Sequence, residues 1–330
     1  MTEADPTVGE LSEGQVLDAI LRQLGPSAAE IGPGDDAAVL RLPTGRVVAT
    51  VDTLVHGPDF RLAWSRGYDL GWKAAAVNLA DIAAMGAQPV ALLVALAMPD
   101  DTRLSFVTDL AAGLRDGCAA LAPGCAVEGG DLTVSDTLTI AVTALGALDG
   151  VTAVRRDGAR PGDVVALAGE AGHAARGLGI LFDRFRDASG APVPVDVARL
   201  GPGEAQAIAA QLRPSPPIGL GPVAARAGAT AMMDVSDGLA LDARRMATAS
   251  RVTIDLSADA LGDDLAGALS GGEDHALLAT FADGAALPPG FRPIGVVRAR
   301  TDEAPLHVDG SPYGERAGWD PYQDWDSARG

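Results

Sequence analysis

Residues 69–98 read DLGWKAAAVNLADIAAMGAQPVALLVALAM, and the fold follows from how this stretch divides. Asp69 to Met85 is rich in alanine and free of proline, which makes a good helix. Val90 to Met98 is an apolar run of strand length. Within the helix, Asn78 and Asp81 lie one turn apart and so on one face. Ala80, Ile82, Ala83, Ala84 and Met85 surround Asp81, and a carboxylate buried among them without a cation or a donor is costly. The helix is expected to carry a polar group into a core for a chemical reason.

Working outward, Leu17, Ile20, Leu21 and Leu24 follow Ser12 at spacings of three and four, which predicts an amphipathic helix over 12–24 that ends at Gly25-Pro26. Two β-rich runs, Ala37 to Leu42 and Val47 to Thr53, flank Pro43-Thr44-Gly45, a sequence suited to a hairpin turn. Past the central stretch, a helix is expected over Thr102 to Leu121 with Asp101 as its cap, then strands at Cys125 to Val127 and Thr137 to Leu148. Arg155 to Asp163 is polar and rich in turn formers before the apolar strand Val164 to Ala168. The division into domains is therefore placed near residue 150, giving 1–150 and 151–330. The second half alternates again: helices from about 173, over 219–228 and from 237, strands over 230–235, 252–256, 276–281 and 292–298, and a proline-rich segment at Arg213 to Pro217. Both halves mix strands and helices, which predicts two domains of α/β and α+β type. The tail 311–330 carries Tyr313, Trp319, Tyr322 and Trp325.

The chain has 330 residues, 48% of them hydrophobic and 21% charged, and a formal charge of −19. That composition belongs to a globular protein, and its charge repels phosphate backbones, so nucleic acid is not an expected partner. Lys73 is the only lysine among 25 basic residues; the arginines, in a background of alanine and glycine, read as a GC-rich coding bias. Cys118 and Cys125 fit neither a CxxC pair nor a disulfide framework and are expected as small core residues in a reduced cytoplasm. Met1 to Thr7 shows no basic segment before an apolar run, and no apolar stretch reaches the ~18 residues of a membrane span. Neither secretion nor membrane insertion is expected.

The acidic residues gather at particular places. Gly34-Asp35-Asp36 precedes an apolar run, Asp52 ends the strand Ala49 to Thr53, Gly129-Gly130-Asp131 follows a third strand, and Asp234-Val235-Ser236-Asp237-Gly238 follows Met232-Met233. Gly271-Gly272-Glu273-Asp274 precedes a further apolar run. Any one of these is ordinarily a turn former or a helix cap, and Asp237 is a candidate cap for the helix after it. Taken together, Asp36, Asp52, Asp81, Asp131 and Asp234 fall at strand ends or on a buried helix face, where a sheet can gather them. Carboxylates in one site repel one another unless divalent cations neutralise them, and oxygen ligands select hard ions such as Mg²⁺. Such a site implies a polyphosphate. There is no GxxxxGK[ST], HExxH or GxSxG motif, and His56, His173, His275 and His307 show no metal-ligand spacing. Gly169-Glu170-Ala171-Gly172 offers only a weak signal of an anion-binding turn.

These residues resemble a known family. Gly34-Asp35-Asp36-Ala37-Ala38, Val51-Asp52-Thr53-Leu54-Val55, the run from Lys73 to Ala87, Gly129-Gly130-Asp131, Arg213-Pro214, Asp234 to Leu239 and Gly271 to Asp274 are similar, in order and over nearly the whole chain, to thiamine-monophosphate kinases. These enzymes belong to the aminoimidazole-ribonucleotide synthetase-like superfamily of ATP-binding proteins. The resemblance implies a two-domain fold, an N-terminal mixed-sheet domain whose sheet pairs with that of a second subunit and a C-terminal α+β domain closing the site. It implies transfer of the γ-phosphoryl group of ATP to thiamine monophosphate in the cytoplasm, by a homodimer.

The resemblance also assigns residues. It implies Mg²⁺ at Asp36, Asp52, Asp81, Asp131, Asp234 and Asp237, with Thr50 and Val51 as flanking positions, Val51 through its carbonyl. Nucleotide contacts are implied for Gly130, Asp131, Arg156 and Ser236, and substrate contacts for Asp59, Glu273 and Trp319, the last offering an aromatic face to a cationic thiazolium. No general base is expected, since an acceptor phosphate is already an oxyanion. Two departures fall on the substrate side: His56-Gly57-Pro58-Asp59-Phe60 stands where the family often reads Glu-Gly-Val-His-Phe, and His275 stands where tyrosine is common. The competing readings are another ATP-using member of the superfamily, of ribonucleotide cyclo-ligase, selenophosphate synthetase or hydrogenase-maturation type, and a non-catalytic acidic protein that binds cations.

Overall fold

A computed structural model describes residues 5–27, 29–33, 37–42, 45–301 and 304–319. The chain begins with α1 (Glu13–Leu24), capped by Ser12 in a reciprocal box in which Ser12 N–H donates to Gln15 Oε1 at 2.9 Å. Strand β1 (Val47–Val55), helix α2 (Gly67–Ala84), β2 (Gln88–Met98), α3 (Leu104–Leu121), β3 (Ala126–Val134) and β4 (Thr139–Ala147) follow. The four strands form one sheet in the order β1-β4-β2-β3, antiparallel except for the parallel β2–β3 pair. Period-two alternation along β4 buries Ile140, Val142 and Ala144 on the face that α2 covers. The opposite face leaves Val47 and Val51 exposed, Val51 at 61%. Helices α2 and α3 cross closely because glycines stand at the contact. A Cβ on Gly71 would lie 1.9 Å from the Leu110 carbonyl oxygen.

The second half comprises β5 (Val164–Ala168), α4 (His173–Arg184), α5 (Glu204–Leu212), α6 (Leu220–Arg226), β6 (Ala231–Val235), α7 (Leu239–Ser250), β7 (Val252–Leu256), α8 (Ala258–Leu261), α9 (Leu265–Ser270), β8 (Ala276–Phe281), β9 (Phe291–Ala299), β10 (Leu306–Val308) and β11 (Ser311–Pro312). Its seven strands run β11-β10-β7-β9-β5-β8-β6. Helix α2 packs on both sheets, touching β1 and β4 on one side and β6 and β8 on the other. One apolar core therefore runs from Leu79 and Ile82 through to Met232, Leu277 and Phe281. Polar residues on the face of α2 that meets both sheets are held between the two halves of the molecule.

Several local expectations change. Ala37 to Leu42 makes no named strand; Val39 forms an isolated bridge to Ile31 instead of a hairpin with β1, and Pro43 and Thr44 lie outside the described residues. Helix α3 starts after Arg103, with Asp5 rather than Asp101 serving its first turn: the Ser105 N–H donates to Asp5 Oδ1 at 3.0 Å. Asp52, Asp131 and Asp234 lie inside strands, because β1, β3 and β6 each continue past the acidic residue. Asp237 does not cap α7; the cap position is Gly238, with no side-chain bond. Helices α5, α8 and α9 and strands β10 and β11 are additions to the expected set. Cys118 and Cys125 are buried free thiols.

Candidate active site

The site is built around the polar face of α2. Asp81 accepts a hydrogen bond from Thr50 Oγ1 at 2.7 Å, and Asn78 Oδ1 accepts one from the Asp52 N–H at 3.1 Å, so both α2 residues hold the inward face of β1. Asn78 is locked in turn by its Nδ2, which donates to the Ala74 carbonyl at 2.9 Å. On the far side of α2, Asp234 of β6 faces His275, with Oδ2 and Nδ1 3.1 Å apart. Burial, then the charge of Asp234, pushes the Asp81 carboxyl up to about 6. Burial chiefly, with Asp234 and Asp237 adding, raises Asp52 as well. Asp52, Asp81 and Asp234 are near enough to oppose one another's ionisation, and the nearby His275 offsets only part of the rise at Asp52 and Asp81.

Such a group fits a hard divalent cation by its chemistry, since buried oxygens that resist ionising alone are stabilised as carboxylates once a cation is present. Among the described residues, however, no three acidic, histidine or cysteine side chains stand at ligating distance. The acids meet at electrostatic range. Asp237 accepts from Arg245 Nη1 at 2.5 Å, and the same guanidinium nitrogen reaches the fully buried Asp242 at 2.7 Å. Burial, then Asp237, lifts Asp242 to about 6. Neither Arg245 nor Asp242 was singled out from sequence, although their separation of three on a helix is a readable pairing signal.

A cavity of about 460 Å³ opens beside this cluster. Asp59, Lys73, Ser236, Glu273 and Trp319 line it, and Trp64 and Phe182, packed edge to face at 4.9 Å, form its apolar wall. Asp59 is fixed by the Val55 N–H at 2.7 Å, and burial raises its pKa. Glu273 forms an ion pair with buried Lys73. Although burial works against ionisation, the charges of Lys73 and His275 hold Glu273 below the usual carboxylate range. Three loops meet tightly at this point. A Cβ on Gly272 would fall 2.3 Å from the Ser236 carbonyl oxygen, and the Trp319 N–H donates to the Asp237 carbonyl at 2.9 Å, which brings the indole to the cavity mouth.

Thr50, Asp52, Asp81 and Asp234 thus meet around α2, Asp237 stands beside them, and Asp59, Ser236, Glu273 and Trp319 share the cavity. Three assigned residues are not brought in. Asp131 is in register with Ala95, Ala141 and Thr53 at the other edge of the four-stranded sheet, three strand spacings or about 14 Å away. Gly130 neighbours it there. Arg156 is exposed, its carbonyl accepting from Ser250 Oγ at 3.0 Å, and it does not line the cavity. The Val51 side chain points to the exposed face of the sheet, opposite Asp52. Asp36 lies outside the described residues, as do Tyr322 and Trp325 of the tail. The turn Gly169 to Gly172 holds no vacant anion site, because Asp274 Oδ1 already accepts from the Ala174 N–H at 2.8 Å at the start of α4.

Residues 34–148 match the model of the AIR synthase related protein, N-terminal domain. The thiamine-monophosphate kinase of Mycobacterium tuberculosis is 38% identical over 98% of this chain and 95% of its own length. The chain belongs to the thiamine-monophosphate kinase family. The crystal structure of thiamine-monophosphate kinase from Stenotrophomonas maltophilia K279a superposes with a TM-score of 0.76 at 32% identity, covering 92% of this chain and 98% of its own. That of AaThiL complexed with AMPPCP and TMP gives a TM-score of 0.73 at 30% identity, covering 94% and 97%. The two-domain fold expected from the resemblance is therefore that of this chain.

Proposed function

We propose that this protein phosphorylates thiamine monophosphate to thiamine diphosphate with ATP. The observation that carries the reading is the junction of two unlike regions: a cluster of acids, of which Asp52 and Asp81 have no lysine or arginine side chain against them among the described residues, lies beside an aromatic, charge-paired cavity. The structural relative bound to AMPPCP, an ATP analogue, and TMP supports both ligands. The terminal phosphate oxygen of the acceptor attacks the γ-phosphorus, the bond from that phosphorus to the β-bridging oxygen breaks, and ADP leaves. Since the attacking oxygen carries no proton that must be removed, positioning and charge neutralisation suffice. That agrees with a site whose working side chains are carboxylates, an amide and hydroxyls.

Asp52, Asp81 and Asp234, with Asp36 and Asp237, are the side chains proposed to hold Mg²⁺, and Thr50 and Asn78 orient them. When bound, Mg²⁺ neutralises the β- and γ-phosphate oxygens of ATP. Ser236 is proposed to meet the nucleotide. Trp319 presents an aromatic face to the thiazolium cation and Asp59 and Glu273 present carboxylates to the substrate. We further propose a homodimer formed through the uncovered sheet face, where Val47 and Val51 are 48% and 61% exposed. Gly130 and Asp131 lie at the edge of that same sheet, so a second copy is the proposed context of their role. Arg156 is kept as a proposed nucleotide contact. We assign the protein to the cytoplasm, where ATP is available and the Cys118 and Cys125 thiols stay reduced.

The test is purified protein with ATP and Mg²⁺, given thiamine monophosphate or free thiamine in separate reactions, with thiamine diphosphate resolved by chromatography. Product from the monophosphate alone is expected. No product, with ATP binding intact, transfers the protein to a different acceptor within the superfamily.

A further inference from the structure

The central motif contains one residue that the proposed reaction has not used. Lys73 is the only lysine in a chain that otherwise meets every need for positive charge with arginine. It is also 4% exposed, which is unusual for an ammonium group. Its partners come from two different elements of the second half. The ammonium pairs with Glu273 in the loop before β8 and donates to the Gln211 carbonyl of α5 at 3.3 Å. The Gln211 amide, turned so that both its ends are satisfied, donates to the Ala174 carbonyl at 3.1 Å and accepts from Lys73 at 3.2 Å. All three ammonium protons are therefore engaged, and none is left over for a phosphate.

We propose that Lys73 is a positioning residue for substrate specificity, acting through Glu273. The glutamate sits at φ 73°, a left-handed backbone that non-glycine residues seldom adopt, and its side chain is 39% exposed toward the cavity. Lys73 holds one carboxylate oxygen, Oε2, and keeps the group ionised; the other oxygen accepts no hydrogen bond among the described residues and is placed to accept one from a donor on the bound molecule. An amine-bearing heterocycle such as an aminopyrimidine supplies that donor. Arginine does not replace the lysine here, because a planar fork cannot direct single bonds to Glu273 and to two Gln211 oxygens lying in different directions.

This inference rests on the proposed kinase reading, so the test measures ligand binding as well as turnover. Thiamine monophosphate and an ATP analogue are titrated separately by calorimetry into the wild type, Lys73→Met, Lys73→Arg, Glu273→Gln and the double variant Lys73→Met/Glu273→Gln. Lys73→Met is expected to weaken thiamine monophosphate about tenfold or more, the loss of one charge-assisted hydrogen bond, while the ATP analogue binds as before. In turnover, KM for thiamine monophosphate rises and kcat changes little. Lys73→Arg is expected not to rescue. The double variant, which leaves no unpaired buried charge should the single one fold poorly, is expected to bind no more weakly than Glu273→Gln alone. Normal thiamine monophosphate affinity in Lys73→Met, with only a lower Tm, overturns the inference. So do additive losses in the double variant. A wild type that binds the ATP analogue but not thiamine monophosphate overturns the kinase reading, and this inference with it.

Discussion

The two ends of the cleft solve the problem of buried charge in opposite ways. At the end formed by β1, α2 and β6, carboxylates face one another, and burial first, then the neighbouring acids, pushes up the pKa values of Asp52 and Asp81, Asp81 to about 6. At the cavity end, Glu273 is equally confined, but Lys73 stands against it and its pKa is pushed down. Both regions hang from one helix, with Lys73 about two turns before Asp81. A region that supplies its own counter-charge is finished as it folds. A region that does not is where the proposed reading puts Mg²⁺, and on that reading the difference separates a recognition surface from a reaction centre.

The strongest way to break this comparison is Asp81→Asn against Glu273→Gln. Both replace a carboxylate by an amide of the same shape. Asp81→Asn is expected to lower kcat by about 100-fold or more, as removal of groups that stabilise transition-state charge does. Glu273→Gln is expected to act mainly on KM for thiamine monophosphate. Steady-state kinetics of the two variants at saturating and limiting Mg²⁺ separates the cases, and similar kcat losses in both would erase the distinction between the ends.

A second prediction concerns stability without Mg²⁺. The Asp81 carboxyl has a raised pKa in the folded state, so its contribution is fully present below the unfolded value near 4 and is lost as pH rises through about 6. Asp81→Asn carries no such charge. At pH 7 the metal-free variant is therefore expected to be more stable than the metal-free wild type, by on the order of 2 kcal/mol. The gap should close near pH 4. Adding Mg²⁺ should stabilise the wild type and not the variant. Urea melts at pH 4 and 7, with and without the ion, check all three, and a wild type that is the more stable at pH 7 without metal sinks the claim that the Asp81 charge is uncompensated in the metal-free fold.

How far these regions can be read from sequence follows the same division. Asp81 and Asn78 are legible because polar residues in an apolar helix are anomalous within a window of a few residues. Lys73 is visible as a lone lysine, yet its partners lie 138 residues away at Gln211 and 200 away at Glu273, beyond any local pattern. The fold class was readable because helix and strand periods alternate clearly through both halves. The expected strand over Ala37 to Leu42 does not form a hairpin with β1 because a short apolar run before turn residues is only a local signal, whereas pairing is decided by what lies alongside, here Ile31 against Val39. Asp131 shows another limit. Spacing places it after or within a strand, but only the register of four strands shows it at the far edge from Asp52.

Trp319 sharpens the picture of the cavity end. Its backbone N–H is held by the Asp237 carbonyl, so substitution of the side chain should leave the loop in place. Trp319→Ala is expected to raise KM for thiamine monophosphate by about tenfold, with Trp319→Phe intermediate, because a cation over an indole is worth about 0.5–2 kcal/mol and over a smaller ring less. KM for ATP should not move. Equal effects on the two substrates would make the indole a general closure of the cleft instead of a face for the thiazolium.

The smallest effect is expected at Arg156, which contrasts with Lys73 as a loose cation does with a fixed one. The Met232 N–H donates to the Arg155 carbonyl at 3.1 Å, which lays this segment beside β6 two residues before Asp234. The Arg156 side chain itself is exposed. If it meets a nucleotide phosphate as proposed, an exposed guanidinium gives up side-chain entropy to do so, which limits the gain to about 1 kcal/mol or less. Arg156→Ala is therefore expected to raise KM for ATP no more than about fivefold, and the difference should fade as salt rises, because exposed charges are screened over about 8 Å at physiological ionic strength. Lys73→Met should show less fading, since the ammonium itself is buried. Measuring both variants across a salt series compares the two cations directly: an Arg156→Ala effect that persists at high salt would mean that ATP draws the arginine into a buried contact, and an unchanged KM would leave it as a charge on the connecting segment.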